Sequence, residues 1–264
     1  MKYYISGDTH ANFTRFCNLD EYKDDTQKIG VIVLGDCAVN WTLKPEYDSG
    51  LKRQLTKKFS NFEWFLLRGN HDARPEHVPT MEKVWNDDVT GMVYQERKYP
   101  NIHYFIDGET YHINGHRILT IGGAYSVDKD YRIMRGAIWH PDEQLNDTER
   151  VKIKNLVKGE HFDFVLTHTA PISWEPRDVF LPGLDQSSVD KTMELWLDKI
   201  RQSIHYKIWL FGHFHRDRLE RPGVQMMYQD IEELDHIYAR WTDPQVLEEE
   251  WYLPKAPMYY AKDE

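Results

Sequence analysis

Several short runs of β-forming residues stop abruptly, and five of them stop on the same few residue types. Tyr3–Ser6 is followed by Gly7-Asp8-Thr9-His10, Ile29–Leu34 by Gly35-Asp36, and Trp64–Leu67 by Arg68-Gly69-Asn70-His71-Asp72. Phe162–Thr167 runs into His168, and Lys207–Phe211 into Gly212-His213-Phe214-His215. Ile118–Ile121 and Val224–Tyr228 read as two further strands. Near-continuous apolar runs of this kind suit strands covered on both faces. Helical patterns alternate with them. Glu46–Phe59 and Asp147–Val157 are two, and Ser187–Ile204 is the clearest. There Ser187 and Asp190 form a capping-box-like start. Val189, Met193, Trp196, Ile200 and Ile204 follow as one apolar stripe. The alternation predicts an α/β architecture. Two regions break it: the Pro- and charge-rich stretch Ala73–His112 and the loop Gly122–Gln144.

Composition narrows the function classes. The 264 residues carry a formal net charge of −10, so long nucleic acids and anionic membranes are disfavoured as partners. No apolar run approaches the roughly 18 residues of a membrane span, and no secretory leader is visible. Two cysteines, Cys17 and Cys37, rule out a disulfide scaffold. The expectation is a soluble cytoplasmic protein with reduced thiols. Residues 1–230 read as one domain and 231–264, acidic and aromatic, as an extension packed on it.

The five strand ends carry the chemistry. In open α/β sheets, ligands bind at the carboxyl ends of the strands. Glycine there lets the backbone turn and come close to a ligand. Asp8 and His10 stand two apart, so an extended segment points both side chains the same way; His213 and His215 share that spacing. The possible ligands are Asp8, His10, Asp36, Asn70, His168, His213 and His215. Seven N and O donors exceed the four of a structural zinc site and suit two divalent ions sharing a carboxylate. The absence of thiolate favours Mn, Fe, Zn or similar. Taken singly, Asp8 with His10 or Asn70-His71-Asp72 would pass for ordinary turns. Together they require five coincidences.

In this order the motifs resemble the calcineurin-like metallophosphoesterase superfamily: D-x-H, G-D, G-N-H-[DE], a later His, and G-H-x-H. The resemblance spans Asp8 to His215. It implies two mixed β-sheets sandwiched between helices, a four-layer αββα fold. It implies that Asp8, His10 and His215 hold a first metal, that Asn70, His168 and His213 hold a second, and that Asp36 bridges them. It favours manganese. It makes His71 the catalytic residue, stabilising the transition state or protonating the leaving oxygen. The implied activity is hydrolysis of a phosphate ester by a metal-bound hydroxide, with monoester and diester both open.

The second motif departs from the Ser/Thr protein phosphatase branch, which resembles G-D-x-x-D-R-G. Here Val39 and Asn40 stand where that branch has its orienting carboxylate and its phosphate-binding Arg. Asn40 or Asp72 is left to support His71. Arg68, Arg74, Arg132 and Arg135 are the candidates to hold phosphate oxygens. Trp41 and Trp139 are expected near the site, and His140 lies in the same candidate substrate loop. His77, His103, His112, His116, His161, His205 and His236 fit no motif and read as surface or packing residues. The substrate would be a small phosphorylated molecule, a nucleotide or a phosphopeptide. Protein phosphatase and nucleotide phosphodiesterase are the rival activities. A non-catalytic scaffold and a metal-storage or sensing protein are the rivals from other classes. Oligomeric state stays open.

Overall fold

The computed structural model describes residues 1–24, 26–180 and 187–243. Thirteen strands and six α-helices alternate along them. In chain order they are β1 (Lys2–Ser6), α1 (Asp20–Lys23), β2 (Ile29–Val33), α2 (Pro45–Lys58), β3 (Phe62–Leu66), β4 (Glu82–Asn86), β5 (Gly91–Gln95), β6 (Ile102–Tyr104), β7 (Thr110–Ile113) and β8 (His116–Ile121). Then come α3 (Lys129–Arg135), α4 (Asp147–Val157), β9 (His161–Thr167), α5 (Thr192–Arg201), β10 (His205–Phe211), β11 (Arg218–Arg221), β12 (Val224–Met226), β13 (Glu232–Glu233) and α6 (Leu234–Thr242).

The strands form two mixed sheets, ordered β13-β1-β2-β3-β6-β5-β4 and β11-β12-β10-β9-β8-β7. β1, β2, β3 and β6 run parallel in the first. β8, β9, β10 and β12 run parallel in the second. Alternation within each strand explains the continuous apolar runs. Ile32, Phe65 and Leu34 of the first sheet pack between the sheets against Phe164, Leu166, Ile208 and Leu210 of the second. Their neighbours Val31, Val33, Trp64 and Leu66 face outward onto Phe13, Phe16, Leu55 and Phe59. On the other outer face, Val165, Trp209 and Phe211 meet Ile153, Val157, Met193, Trp196 and Ile200. Helix, sheet, sheet and helix thus stack as four layers, each apolar face covered. A fully buried side chain of this kind contributes about 1.5–3 kcal/mol.

The helices follow from local signals. α2 opens with Pro45 at its first position, has Glu46 and Asp48 in its first turn, and ends on Lys57 and Lys58. That order matches the helix dipole. α4 has a full capping box: Glu149 N–H donates to Asn146 Oδ1 at 3.0 Å, and Asn146 N–H to Glu149 Oε2 at 2.8 Å. α5 keeps its apolar stripe but begins at Thr192, not at Ser187. Its N-cap residue, Lys191, makes no side-chain capping bond, and Asp190 before it accepts from Thr192 N–H at 2.9 Å.

The two irregular stretches are structured. Ala73–His112 carries β4 to β7, and β4 and β5 form an antiparallel pair at the sheet edge. Trp85 on β4 is exposed, so this edge lacks the continuous apolar run that marks a central strand. Gly122–Gln144 contains the short helix α3. Of 231–264, the described part places β13 beside β1 and sets Leu234, Ile237 and Trp241 of α6 into the inter-sheet core. Residues 244–264, with Trp251, Tyr252, Tyr259 and Tyr260, lie outside the described residues. No helix among the described residues is long and apolar enough to cross a membrane.

Candidate metal centre

The parallel strands β1, β2, β3, β9 and β10 bring the five motifs to one end of the sandwich. Two ligand groups form there. The ligand atoms of Asp8, His10 and His215 all lie within 4.8 Å of one another, as do those of Asp36, His168 and His213. Asn70 joins the second group, its Oδ1 2.9 Å from His168 Nε2. Asp36 belongs to the second group, and its charge also acts on His10 of the first. Asp8, Asp36, Asn70 and His168 are buried, whereas His215 is exposed.

The convergence does not come from extended alternation. His10, Asp36, His213 and His215 have φ of +44°, +49°, +70° and +52°. These left-handed conformations cost roughly 1–2 kcal/mol each for residues with a Cβ. The turns swing His213 and His215 into different groups instead of onto one face. Hydrogen bonds hold them. His10 N–H donates to the Asp36 carbonyl at 2.8 Å, and His213 N–H to Asp8 Oδ1 at 2.9 Å. Asp72 secures two loops together: Gly69 and Cys37 N–H donate to its Oδ2, and Ala38 N–H to its Oδ1. Asp72 therefore supports the backbone around Asp36 and not the His71 ring. Burial and the nearby Asp36 charge raise its pKa to about 6.

Two glycines are required by close approach. A Cβ at Gly69 would stand 2.0 Å from Asp36 Oδ1, and one at Gly35, whose φ is +101°, would stand 2.2 Å from His168 Nδ1.

The donor set fits divalent metal. Asp8 Oδ2 is buried, has no hydrogen-bond partner among the described residues, and lies 3.2 Å from His215 Nε2. His10 Nε2 and His215 Nε2 face each other at 2.8 Å. Three ligand atoms converge there with little but each other to bind. At the second group, His168 Nδ1–H donates to the Leu34 carbonyl at 2.7 Å. That bond turns Nε2 toward Asn70 and Asp36, as for a histidine that ligates a metal. Burial opposes charge on His168, but Asp36 and Asp8 outweigh it and hold its pKa at about 9. Burial, then the neighbouring His168, presses His213 down to about 3. Imidazole nitrogens with carboxylate and amide oxygens suit Mn, Fe or Zn.

His71 stands beside both groups. Its N–H donates to Asp36 Oδ1 at 2.8 Å, and its Nε2 lies 3.7 Å from Asp36 Oδ2. Trp41 stacks on its ring at 5.9 Å between centroids. Arg132 of α3 donates Nη2–H to His71 Nε2 at 2.8 Å, and its Nε–H to Asp128 Oδ2 at 2.8 Å. Val39 and Asn40 are buried behind, and the Asn40 amide meets no partner among the described residues.

The other three arginines are placed elsewhere. Arg68 is tied to Asp107 and the Glu143 carbonyl. Arg74 is tied to Glu149 and to the carbonyls of Asp142 and Gln144. Arg135 is exposed and lies over Tyr131. The sequence reading missed Arg15, which donates to Ser6 Oγ at 3.0 Å and contacts the carbonyls of Asp8 and Tyr228. Tyr228 in turn stacks on His215. No motif marks either. Trp139 donates to Glu143 Oε2 at 2.9 Å, and His140 pairs with the Trp41 carbonyl.

Residues 1–217 match the sequence model of the calcineurin-like phosphoesterases. No curated protein sequence matches the chain. Among solved structures, the fold is similar to TT1561 of Thermus thermophilus, with 11% identity, TM-score 0.41, and 88% of this chain and 97% of that one covered. It is also similar to the Thermus thermophilus sulfate thiohydrolase SoxB in complex with glycerol, with 11% identity, TM-score 0.34, and 85% and 38% covered. A further solved structure aligns at 12% identity and TM-score 0.44 over 89% of this chain and 95% of its own.

Proposed function

The chain belongs to the calcineurin-like phosphoesterase family, and we propose that it hydrolyses phosphate monoesters at a two-metal centre. The observation that carries the reading is the contact between Arg132 and His71 beside the two ligand groups. Asp8, His10 and His215 would hold one divalent ion, Asn70, His168 and His213 the other, with Asp36 shared between them. Manganese is the favoured metal. Two divalent ions held there would supply Lewis acidity and an activated water.

The chain's own residues do the rest. A guanidinium offers only donors, so His71 Nε2 accepts from Arg132 in this state. A phosphoryl group arriving beside Arg132 would take those N–H donors onto its terminal oxygens, where planar Arg binds well. His71 Nε2, released from Arg132, is then free to take up a proton from solvent and give it to the leaving oxygen. Trp41 keeps the imidazole in plane, and the His71 backbone bond to Asp36 fixes its depth. A cleft of about 540 Å³ opens beside His10, lined by Thr9, Asn12, Thr14, Arg15 and Tyr228. Its polar walls suit a hydroxylated leaving group, such as a sugar or nucleoside. On the same reading, residues 1–230 form one cytoplasmic phosphoesterase domain and 231–264 an extension of it.

The test is hydrolysis of an aryl phosphate and of a bis-aryl phosphate, each with EDTA, Mn²⁺, Zn²⁺ or Fe²⁺. Metal-dependent turnover that favours the monoester supports the reading. A preference for the diester would move the chain to the phosphodiesterases. Two bound metals without turnover on any ester would leave a scaffold, and the absence of metal binding would overturn the two-metal reading.

A further inference from the structure

A side-chain amide has one end that can bind a cation and one that cannot, and the two are nearly the same size. At Asn70 two acceptors compete for the NH₂ end. One is His168 Nε2, 2.9 Å from Asn70 Oδ1: the protonated ring donates to that oxygen, but the neutral ring that a metal ligand must be, with its Nδ1–H given to Leu34, has only a lone pair there to offer. The other is Ser126 Oγ, which accepts from Asn70 Nδ2–H at 2.9 Å. If His168 took the NH₂ end, Asn70 would present donors to the ligand group and could not bind metal.

The buried carboxylate of Glu143 decides between them. Two obligate donors aim at it: Ser126 N–H at 2.9 Å from Oε1, and Trp139 Nε1–H at 2.9 Å from Oε2. The Ser126 hydroxyl donates to the same Oε2 at 2.5 Å. With its proton so committed, Ser126 Oγ can only accept from Asn70. We propose that Ser126 and Glu143, anchored by Trp139, are positioning residues that set the flip of Asn70 and turn its Oδ1 toward the second metal. The inference rests on the two-metal reading of the centre. It also gives the loop between the two residues a purpose, because α3 with Arg132 lies between Ser126 and Glu143. The loop that supplies Asn70 with its partner Ser126 therefore also carries the arginine beside His71.

The test is titration of the EDTA-stripped protein with Mn²⁺, read by calorimetry, in wild type, Ser126→Ala, Asn70→Asp and the double variant. A carboxylate presents oxygen whichever way it turns, so Asn70→Asp has no flip to set. Ser126→Ala is expected to weaken one of the two Mn²⁺ equivalents by about 10- to 100-fold and to cost nothing further in the Asn70→Asp background. Equal loss in both backgrounds would make Ser126 a packing residue and overturn the inference. So would Ser126→Ala with two wild-type affinities. Ser126→Cys, nearly isosteric with a weaker donor, replaces the alanine variant if that does not fold, and is expected to give a smaller loss of the same pattern. Fewer than two equivalents in the wild type would overturn the two-metal reading and this inference with it; two equivalents with an unchanged Ser126→Ala overturn the inference alone.

Discussion

Arg132 Nη2 stands 2.8 Å from His71 Nε2, though 61 residues separate them in the chain. The second motif, with Val39 and Asn40, brings no cation to this point. A helix from a different loop supplies it. Asp128 aligns the guanidinium from behind and Trp41 covers its side, the Arg132 carbon lying 5.6 Å from the indole centre. The arginine beside His71 thus takes its place from the loop between Ser126 and Glu143, which carries α3.

Arg132→Ala should therefore reduce kcat/KM for a monoester by roughly 10- to 100-fold, the worth of one charge-assisted hydrogen bond. The loss should be smaller for a diester, which has one fewer charged oxygen. Arg132→Lys should not restore activity fully, since a point charge lacks the planar fork. Arg74→Ala is the control. It should leave KM unchanged and lower stability by about 1–3 kcal/mol, because Arg74 bridges to Glu149 away from the centre. Steady-state kinetics with urea unfolding separates the two. A KM effect of Arg74→Ala equal to that of Arg132→Ala would refute the assignment.

His71→Ala and Asp36→Ala should fail in different ways. His71 makes no ligand contact that the centre needs, so its loss should cut kcat by about 10²- to 10⁴-fold with both metals retained. Asp36 lies in the second ligand group and charges the first. Asp36→Ala should lose bound metal along with activity. Elemental analysis of each purified variant beside its kcat is the check, and a His71→Ala protein with full turnover would remove that residue from the mechanism.

Gly69→Ala should be among the most damaging single-methyl changes in the chain. Its Cβ would fall 2.0 Å from Asp36 Oδ1 and 2.2 Å from the Asp36 nitrogen; the nitrogen is backbone, and the short, buried carboxylate is held by His71 N–H. Metal content should collapse and the melting temperature should drop. Gly50→Ala in α2 meets nothing within 4 Å and should be neutral or slightly stabilising. Thermal melts of the two variants decide it.

Glu194 on α5, bonded to the residue that follows His168, offers a pH prediction. Its Oε1 accepts from Thr169 Oγ1, its Oε2 has no hydrogen-bond partner among the described residues, and burial raises its pKa above the ordinary 4.5. The unfolded chain thus gives up this proton at lower pH than the folded one. Stability from this group is full below the ordinary value and is lost as pH rises through the raised one. Glu194→Gln should flatten that fall, measured by urea unfolding between about pH 4 and 8. An unchanged pH slope in the variant would show that Glu194 is not the group responsible.

What the sequence alone determined was local. A strand buried on both faces writes itself as an apolar run, so β1, β2, β3, β9 and β10 and the residues at their ends were legible. The apolar stripe of α5 was legible too, but the capping box expected at Ser187 is found instead at Asn146, ahead of α4. Edge strands such as β4 carry exposed residues like Trp85 and leave no such mark. The tertiary structure decided the rest. Left-handed turns at His10, Asp36, His213 and His215 sort the ligands into two groups, and they persist because bonds from distant loops hold them. Which of four arginines meets His71 depends on Asp128, and Asn70 meets Ser126, which is itself bonded to Glu143. Those contacts join residues far apart in the chain, so no local pattern records them; only packing the two sheets brings them within hydrogen-bond reach.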